Sequence, residues 1–318
     1  MPGDAIDYTA ALMEGPWEHL FVAANGSRFH LAIAGDANAP LVILLHGFGQ
    51  FWWAWRDVIP VLAEAGYRVA AMDLRGVAAS DKPPTGYDIP TRIRDVAAVI
   101  RSLGRKRAVV VGHGTGAETA WVMSTLPTGI AAGIVAVACP FPTRFGNGFL
   151  KTLTPRARRL YALAQVPWYP ERFIRNPLVL HRFFADGRSG GYASVEENPF
   201  SKAVLAKYVE VIRIPFAAHN SIEALRWIAR SAPIPDGRRY HRALRGETNI
   251  PVLQIQGGLD GFINIGGKSS EFEVFGAGER RFANFTSEWI DDGGHFLPEE
   301  HPERIAASLI EFLSRVSW

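Results

Sequence analysis

A chain of 318 residues that is 48% hydrophobic and 20% charged has ordinary globular composition, which excludes wholesale disorder. One cysteine, Cys139, excludes an intramolecular disulfide and a cysteine-based metal cluster, and a net charge of +3 points to no nucleic-acid partner. No apolar run approaches the roughly 20 residues needed to cross a bilayer, and Met1 to Pro16 carry Asp4, Asp7 and Glu14 without a basic cluster, unlike a secretory signal. The expectation is a soluble cytoplasmic protein, or one held peripherally at the inner face of the membrane.

In chain order, residues 28–34 alternate apolar and polar as a half-buried strand does, just after an Ala-Asn-Gly-Ser turn holding Gly26. The run 41–45 (LVILL) suits a parallel strand covered on both faces. A helix over 53–65 capped near Gly66, a strand at 68–73, a helix at 91–103 closed by Gly104 and a strand at 108–112 follow. Helix 115–126 and strand 134–138 continue the series. Such alternation predicts an α/β fold with a mostly parallel sheet and helices on both faces.

From about 143 to 246 the pattern changes: strong strands vanish, and helical stretches fall near 156–165, 201–214 and 219–231. Strand character returns at 251–256 and 281–290, before a final helix from Glu303 to Val316. The economical division is an α/β core of 1–142 plus 247–318, with 143–246 inserted as a helical cap. The insert is basic. Phe141 to Glu247 hold 18 Lys and Arg against 8 Asp and Glu, whereas the remainder holds 16 against 23.

Ligands of open parallel sheets bind at the carboxyl ends of strands. Here those ends read His46-Gly47-Phe48-Gly49, Gly112-His113-Gly114-Thr115-Gly116, Gly257-Gly258-Leu259-Asp260 and Asp291-Asp292-Gly293-Gly294-His295. With Trp52-Trp53-Ala54-Trp55-Arg56, Asp73-Leu74-Arg75-Gly76, Ser80-Asp81-Lys82-Pro83-Pro84, Gln165-Val166-Pro167-Trp168-Tyr169-Pro170-Glu171 and Glu300-His301-Pro302-Glu303, the chain resembles the α/β-hydrolase fold. The nearest branch is that of epoxide hydrolases and haloalkane dehalogenases, and coverage runs from about residue 17 to the C-terminus.

That resemblance implies a nucleophile on a strand–turn–helix elbow, an acid after a late strand, and a histidine near the C-terminus. Asp260 and His295 hold the last two places. The nucleophile place holds Gly114, so no covalent adduct can form there. Glycine also relieves backbone strain at such a turn. The backbone amides of Phe48 and Thr115 are the expected oxyanion donors. Thr115 stands where dehalogenases carry a halide-binding tryptophan. The stretch Ala224-Leu225-Arg226-Trp227-Ile228 has no tyrosine where a second lid tyrosine would fall, and Tyr161 stands in for the first in a register shifted by one.

Candidate pocket residues are His46, Trp52, Trp53, His113, Cys139, Tyr161 and Trp227. His46 and His113 also read as loop and packing residues, and Cys139 as a small buried hydrophobe. His181, His219 and His241 lack metal-ligand spacing, so neither a metal nor a cofactor is expected. Three functions stay open. One is a pseudoenzyme with a ligand-binding, regulatory or scaffold role. A second is an enzyme whose His295–Asp260 pair acts as general base on a small apolar substrate without a covalent intermediate. The third is docking of an anionic membrane or acidic protein through Arg156, Arg158, Arg159, Arg172 and Arg175, interleaved with Tyr161, Trp168, Tyr169 and Phe173.

Overall fold

The computed structural model describes residues 6–125, 129–141, 152–192, 198–231, 233–246, 248–264, 275–276 and 278–318. One eight-stranded sheet organises it: β1 (Glu18–Ala24), β2 (Ser27–Ala34), β3 (Leu41–Leu45), β4 (Arg68–Met72), β5 (Ala108–His113), β6 (Ala131–Val137), β7 (Val252–Gly257) and β8 (Phe285–Ile290). Their spatial order is β1-β2-β4-β3-β5-β6-β7-β8. The β1–β2 and β2–β4 pairs are antiparallel, and every later pair is parallel. The core strands β3 and β5 are buried along their whole length, as continuous Val/Ile/Leu runs require when both faces are covered.

Helices connect the strands: α1 (Ile59–Glu64), α2 (Ile89–Ser102), α3 (Thr115–Thr125), α4 (Pro155–Ala164), α5 (Tyr169–Ile174), α6 (Pro177–Asp186), α7 (Lys202–Ile212), α8 (Ala217–Arg230), α9 (Pro235–Ala243), α10 (Leu297–Glu300) and α11 (Pro302–Leu313). Several starts are written locally. Asp88, Thr154, Asn176 and Ser201 each accept a hydrogen bond from a first-turn amide, and α2, α4 and α6 carry Pro in the first turn, where its missing N–H costs nothing. Among the described residues no helix is long and apolar enough to cross a membrane.

The structure departs from the sequence expectation in four places. A strand precedes the Asn25-Gly26 turn, because both turn residues take positive φ (44° and 72°) and close β1 onto β2 as a hairpin. The expected helix 53–65 is two pieces, a 3₁₀ turn at Trp52–Trp55 and then α1, because Pro60 cannot donate to a continuous helix and fits only a first turn. The last strand begins at Phe285 and not at 281; before it, Arg281 and Phe282 donate back to the Gly278 carbonyl in a helical turn. Between β6 and β7 the described residues hold three more helices than expected, α5, α6 and α9. The junction proposed at 142–143, and residue 247, lie outside the described residues.

Candidate active site

The turn from β5 to α3 is set by close approach. A β-carbon on Gly112 would lie 2.5 Å from the Ala117 backbone, and one on Gly116 would lie 2.6 Å from the Leu45 carbonyl oxygen. Only glycine at both places lets the start of α3 seat against the end of β3. Gly114 forms the tip with φ +51°, its N–H donating to the Val137 carbonyl at 3.0 Å. A β-carbon there would sit 3.3 Å from Nε2 of His295. The tip therefore faces the imidazole directly.

His295 lies between Gly294 and Phe296 after β8, with its backbone N–H held by the Gly187 carbonyl at 2.8 Å. Its Nδ1–H donates to Asp260 Oδ2 at 2.9 Å. Asp260 follows β7 and is only 2% exposed. Its carboxylate also accepts from the Phe262 and Ile263 amides (2.8 and 2.9 Å) and from Gln256 Nε2 (2.9 Å). Four donors on one buried carboxylate fix its orientation, and the carboxylate in turn fixes the His295 tautomer. The lone pair on Nε2 is left pointing toward the space above Gly114, with no hydrogen bond from a described residue.

That space is a half-open cavity of about 80 Å³. Gly114, Thr115, Glu118 and His295 contribute to its wall together with Phe48, Cys139 and Tyr161, and the rest is apolar, from Leu153, Leu160, Phe183, Leu225 and Phe262 among others. Phe48 and Thr115 thus meet at the cavity. Thr115 opens α3, where first-turn amides have no intrahelical acceptor. Burial drives the Cys139 thiol and the Tyr161 phenol well above their ordinary pKa values, so both are neutral.

Glu118 escaped the sequence reading. It stands four residues after Gly114, on the same face one turn along, and is the single ionisable side chain of an otherwise uncharged helix, TGAETAWVMST. That isolation was the available signal.

The other candidates lie elsewhere. His113 is fully buried beneath the site, with Nδ1 2.8 Å from Gln50 Oε1 and Nε2 2.7 Å from the His295 carbonyl oxygen. Two acceptors face the ring, while burial, helped by His295, pushes its pKa down to about 3. A neutral ring donates through one of those nitrogens only. Gln50 Nε2 continues to Glu299 (2.7 Å), which also accepts from Arg56 and Tyr208 (both 2.8 Å). His46 donates Nδ1–H to the Gly47 carbonyl and accepts the Leu74 amide at Nε2, and burial lowers its pKa to about 4. It borders a small neighbouring space, not the cavity. Trp52 is core, its indole donating to the Ala11 carbonyl. Trp53 lies under Arg56, and Trp227 packs edge-on to Tyr240. None of these three lines the cavity, because tertiary packing turns each toward another neighbour.

His219, expected to stand apart from metal-ligand partners, comes together with Glu171 and Glu223 within 4.8 Å. Arg226 bridges both carboxylates at 2.6 Å and supplies the positive charge there. Arg172, Arg175 and Arg213 share one groove, Arg156, Arg159 and Arg182 another, and Tyr161 faces inward.

Residues 42–308 match the alpha/beta hydrolase family. Epoxide hydrolase A of Mycobacterium tuberculosis is 30% identical, over 95% of this chain and 98% of that protein. A soluble epoxide hydrolase of a Corynebacterium species is 28% identical, over 91% and 95%. An epoxide hydrolase structure from Vigna radiata superposes with a TM-score of 0.79 at 23% identity, covering 94% and 99%. That last likeness is one of fold.

Proposed function

The chain belongs to the alpha/beta hydrolase family and is epoxide-hydrolase-like, and from that premise we propose that it binds a small, largely apolar molecule without forming a covalent adduct. The observation that carries this reading is Gly114. The elbow tip faces His295, where a β-carbon on it would lie 3.3 Å from Nε2, and it has no side chain. Helices α4 to α9 act as the cap, since Leu160, Phe183 and Leu225 close the cavity from that side. The open groove of Arg156, Arg159, Leu163, Phe173 and Arg182 shares Leu160, Phe183 and Phe262 with the cavity wall and is the entrance. Purified protein is expected not to turn over p-nitrophenyl acetate or styrene oxide. Turnover abolished by His295→Ala would overturn the reading.

A second reading is favoured by the open Nε2 of His295. With Asp260 on Nδ1, the ring can take a proton from water or from substrate, and the Phe48 and Thr115 amides can receive the developing oxyanion. Its mark is turnover that survives Thr115→Ala and Cys139→Ala and disappears with His295→Ala.

A third is favoured by one surface. Trp168, Leu178 and Phe216 are 86%, 77% and 70% exposed, near the groove of Arg172, Arg175 and Arg213, for which no carboxylate lies within ion-pair distance among the described residues. Apolar side chains beside unneutralised arginines suit an anionic lipid surface. Binding to phosphatidylserine vesicles that weakens with salt and with Arg172→Glu would support it; indifference to both would remove it.

A further inference from the structure

Glu118 is 7% exposed, and its carboxyl makes no hydrogen bond to a described residue; Oε2 is wholly enclosed. The side chain borders the same cavity as His295. Arg92 of α2 is the charged group nearest in influence, but it forms no ion pair with Glu118 and turns toward the Thr115 carbonyl at 3.5 Å. The remaining titratable neighbours are Cys139 after β6, Tyr161 of α4 and Tyr240 of α9, all kept neutral by burial. Burial pushes the Glu118 carboxyl up to about 8, against the pull of Arg92. A buried polar group without a partner opposes folding, so packing gives no reason for a carboxyl here where Leu or Met would fill the space. A protonated carboxyl, unlike the carboxylate, has one O–H to donate.

We propose that Glu118 is the polar anchor of the cavity, its carboxylic O–H donating to the oxygen of an uncharged, mostly apolar ligand seated over Gly114. The inference rests on the non-covalent reading of this pocket and names its ligand class: one acceptor oxygen, as in a ketone, ether or epoxide, on a hydrocarbon body. Leu153, Leu160, Phe183, Leu225 and Phe262 receive the body. Glu118 and His295 Nε2 bracket the oxygen-bearing end. A cationic ligand would have to ionise the carboxyl against its burial before pairing with it.

Three probes of one shape separate the alternatives by calorimetry at pH 7: acetophenone with its acceptor oxygen, ethylbenzene without one, and 1-phenylethylamine as the cation. Wild-type protein is expected to bind acetophenone up to about tenfold more tightly than ethylbenzene, the worth of one net hydrogen bond. Glu118→Leu is expected to erase that preference while keeping ethylbenzene affinity, and Glu118→Gln, whose amide still donates, to keep part of it. An infrared difference spectrum, wild type minus Glu118→Gln, is expected to show a carboxylic acid C=O band that shifts with acetophenone but not with ethylbenzene. An acetophenone preference unchanged in Glu118→Leu overturns the anchor and leaves the pocket reading standing. Tightest binding of the amine, lost in Glu118→Leu, also overturns it by showing an ionised carboxylate. Failure of all three probes to bind the wild type overturns anchor and pocket reading together.

Discussion

Nε2 of His295 stands 3.3 Å from the point that a β-carbon on Gly114 would occupy. A carboxylate one bond further out would touch the imidazole and the cavity together. Gly114→Asp is therefore expected to gain slow alkylation by styrene oxide, seen as one added epoxide mass on the intact protein, while the wild type gains none. The substitution places a side chain at φ +51°, which costs roughly 1–3 kcal/mol of stability. A mutant that folds and stays unmodified would mean that the surroundings have drifted from what a nucleophile needs.

Asp260 serves the fold as well as the imidazole. Two amides and the Gln256 side chain lose their acceptor in Asp260→Ala, and each buried donor left unsatisfied costs about 1–3 kcal/mol. Denaturant unfolding is expected to show a loss of at least about 3 kcal/mol for Asp260→Ala. Asp260→Asn keeps an oxygen for the amides and is expected to lose distinctly less. Equal losses would show that the carboxylate charge, and not its hydrogen bonds, holds this loop.

Much of this arrangement was legible beforehand, for physical reasons that differ by element. LVILL at β3 suits a strand buried on both faces, and the four motifs at strand ends bring Gly114, Asp260 and His295 to one place because parallel strands share a carboxyl edge. Strand β1 hid because only two of its seven residues are buried, so its alternation is weak. Helices α5 and α6 hid in an arginine- and aromatic-rich stretch, and each carries in its first turn a proline that reads as a break. Helix α9, PDGRRYHRA, is too polar to show an apolar face in sequence. Glu118 reads as a solvated helix charge until the cap closes over it. Burial is a tertiary fact, and local periodicity does not carry it.

Glu299 links distant parts of the molecule. It gathers Arg56, Tyr208 and Gln50, and Gln50 passes the contact to His113 beneath the His295 backbone. The pair with Arg56 is buried, and removing one member of a buried pair strands the other charge. Glu299→Ala is expected to cost about 3–5 kcal/mol by denaturant unfolding. Replacing both partners, Arg56→Met with Glu299→Leu, is expected to recover a large part of that loss. A double mutant no more stable than the single would locate the cost in the Tyr208 and Gln50 contacts instead.

The dependence of stability on pH separates Glu118 from the buried histidines. His46 and His113 have their pKa values lowered by burial to about 4 and about 3. The unfolded chain therefore binds their protons first, and their contribution is complete above pH 6.5 and lost as pH falls toward those values. Glu118 runs the other way. Its carboxyl holds a proton in the fold up to about pH 8, against 4.5 in the unfolded chain, so its contribution is complete below pH 4.5 and lost as pH rises through about 8. Each group alone gives a slope of about 1.4 kcal/mol per pH unit within its window. Between pH 6.5 and 8 the histidine slopes have ended and the Glu118 slope remains. Urea unfolding at pH 5, 6.5 and 8 is expected to show Glu118→Gln gaining on the wild type across the upper interval by on the order of 2 kcal/mol. Curves that stay parallel from 6.5 to 8 would mean that Glu118 is already ionised in the fold.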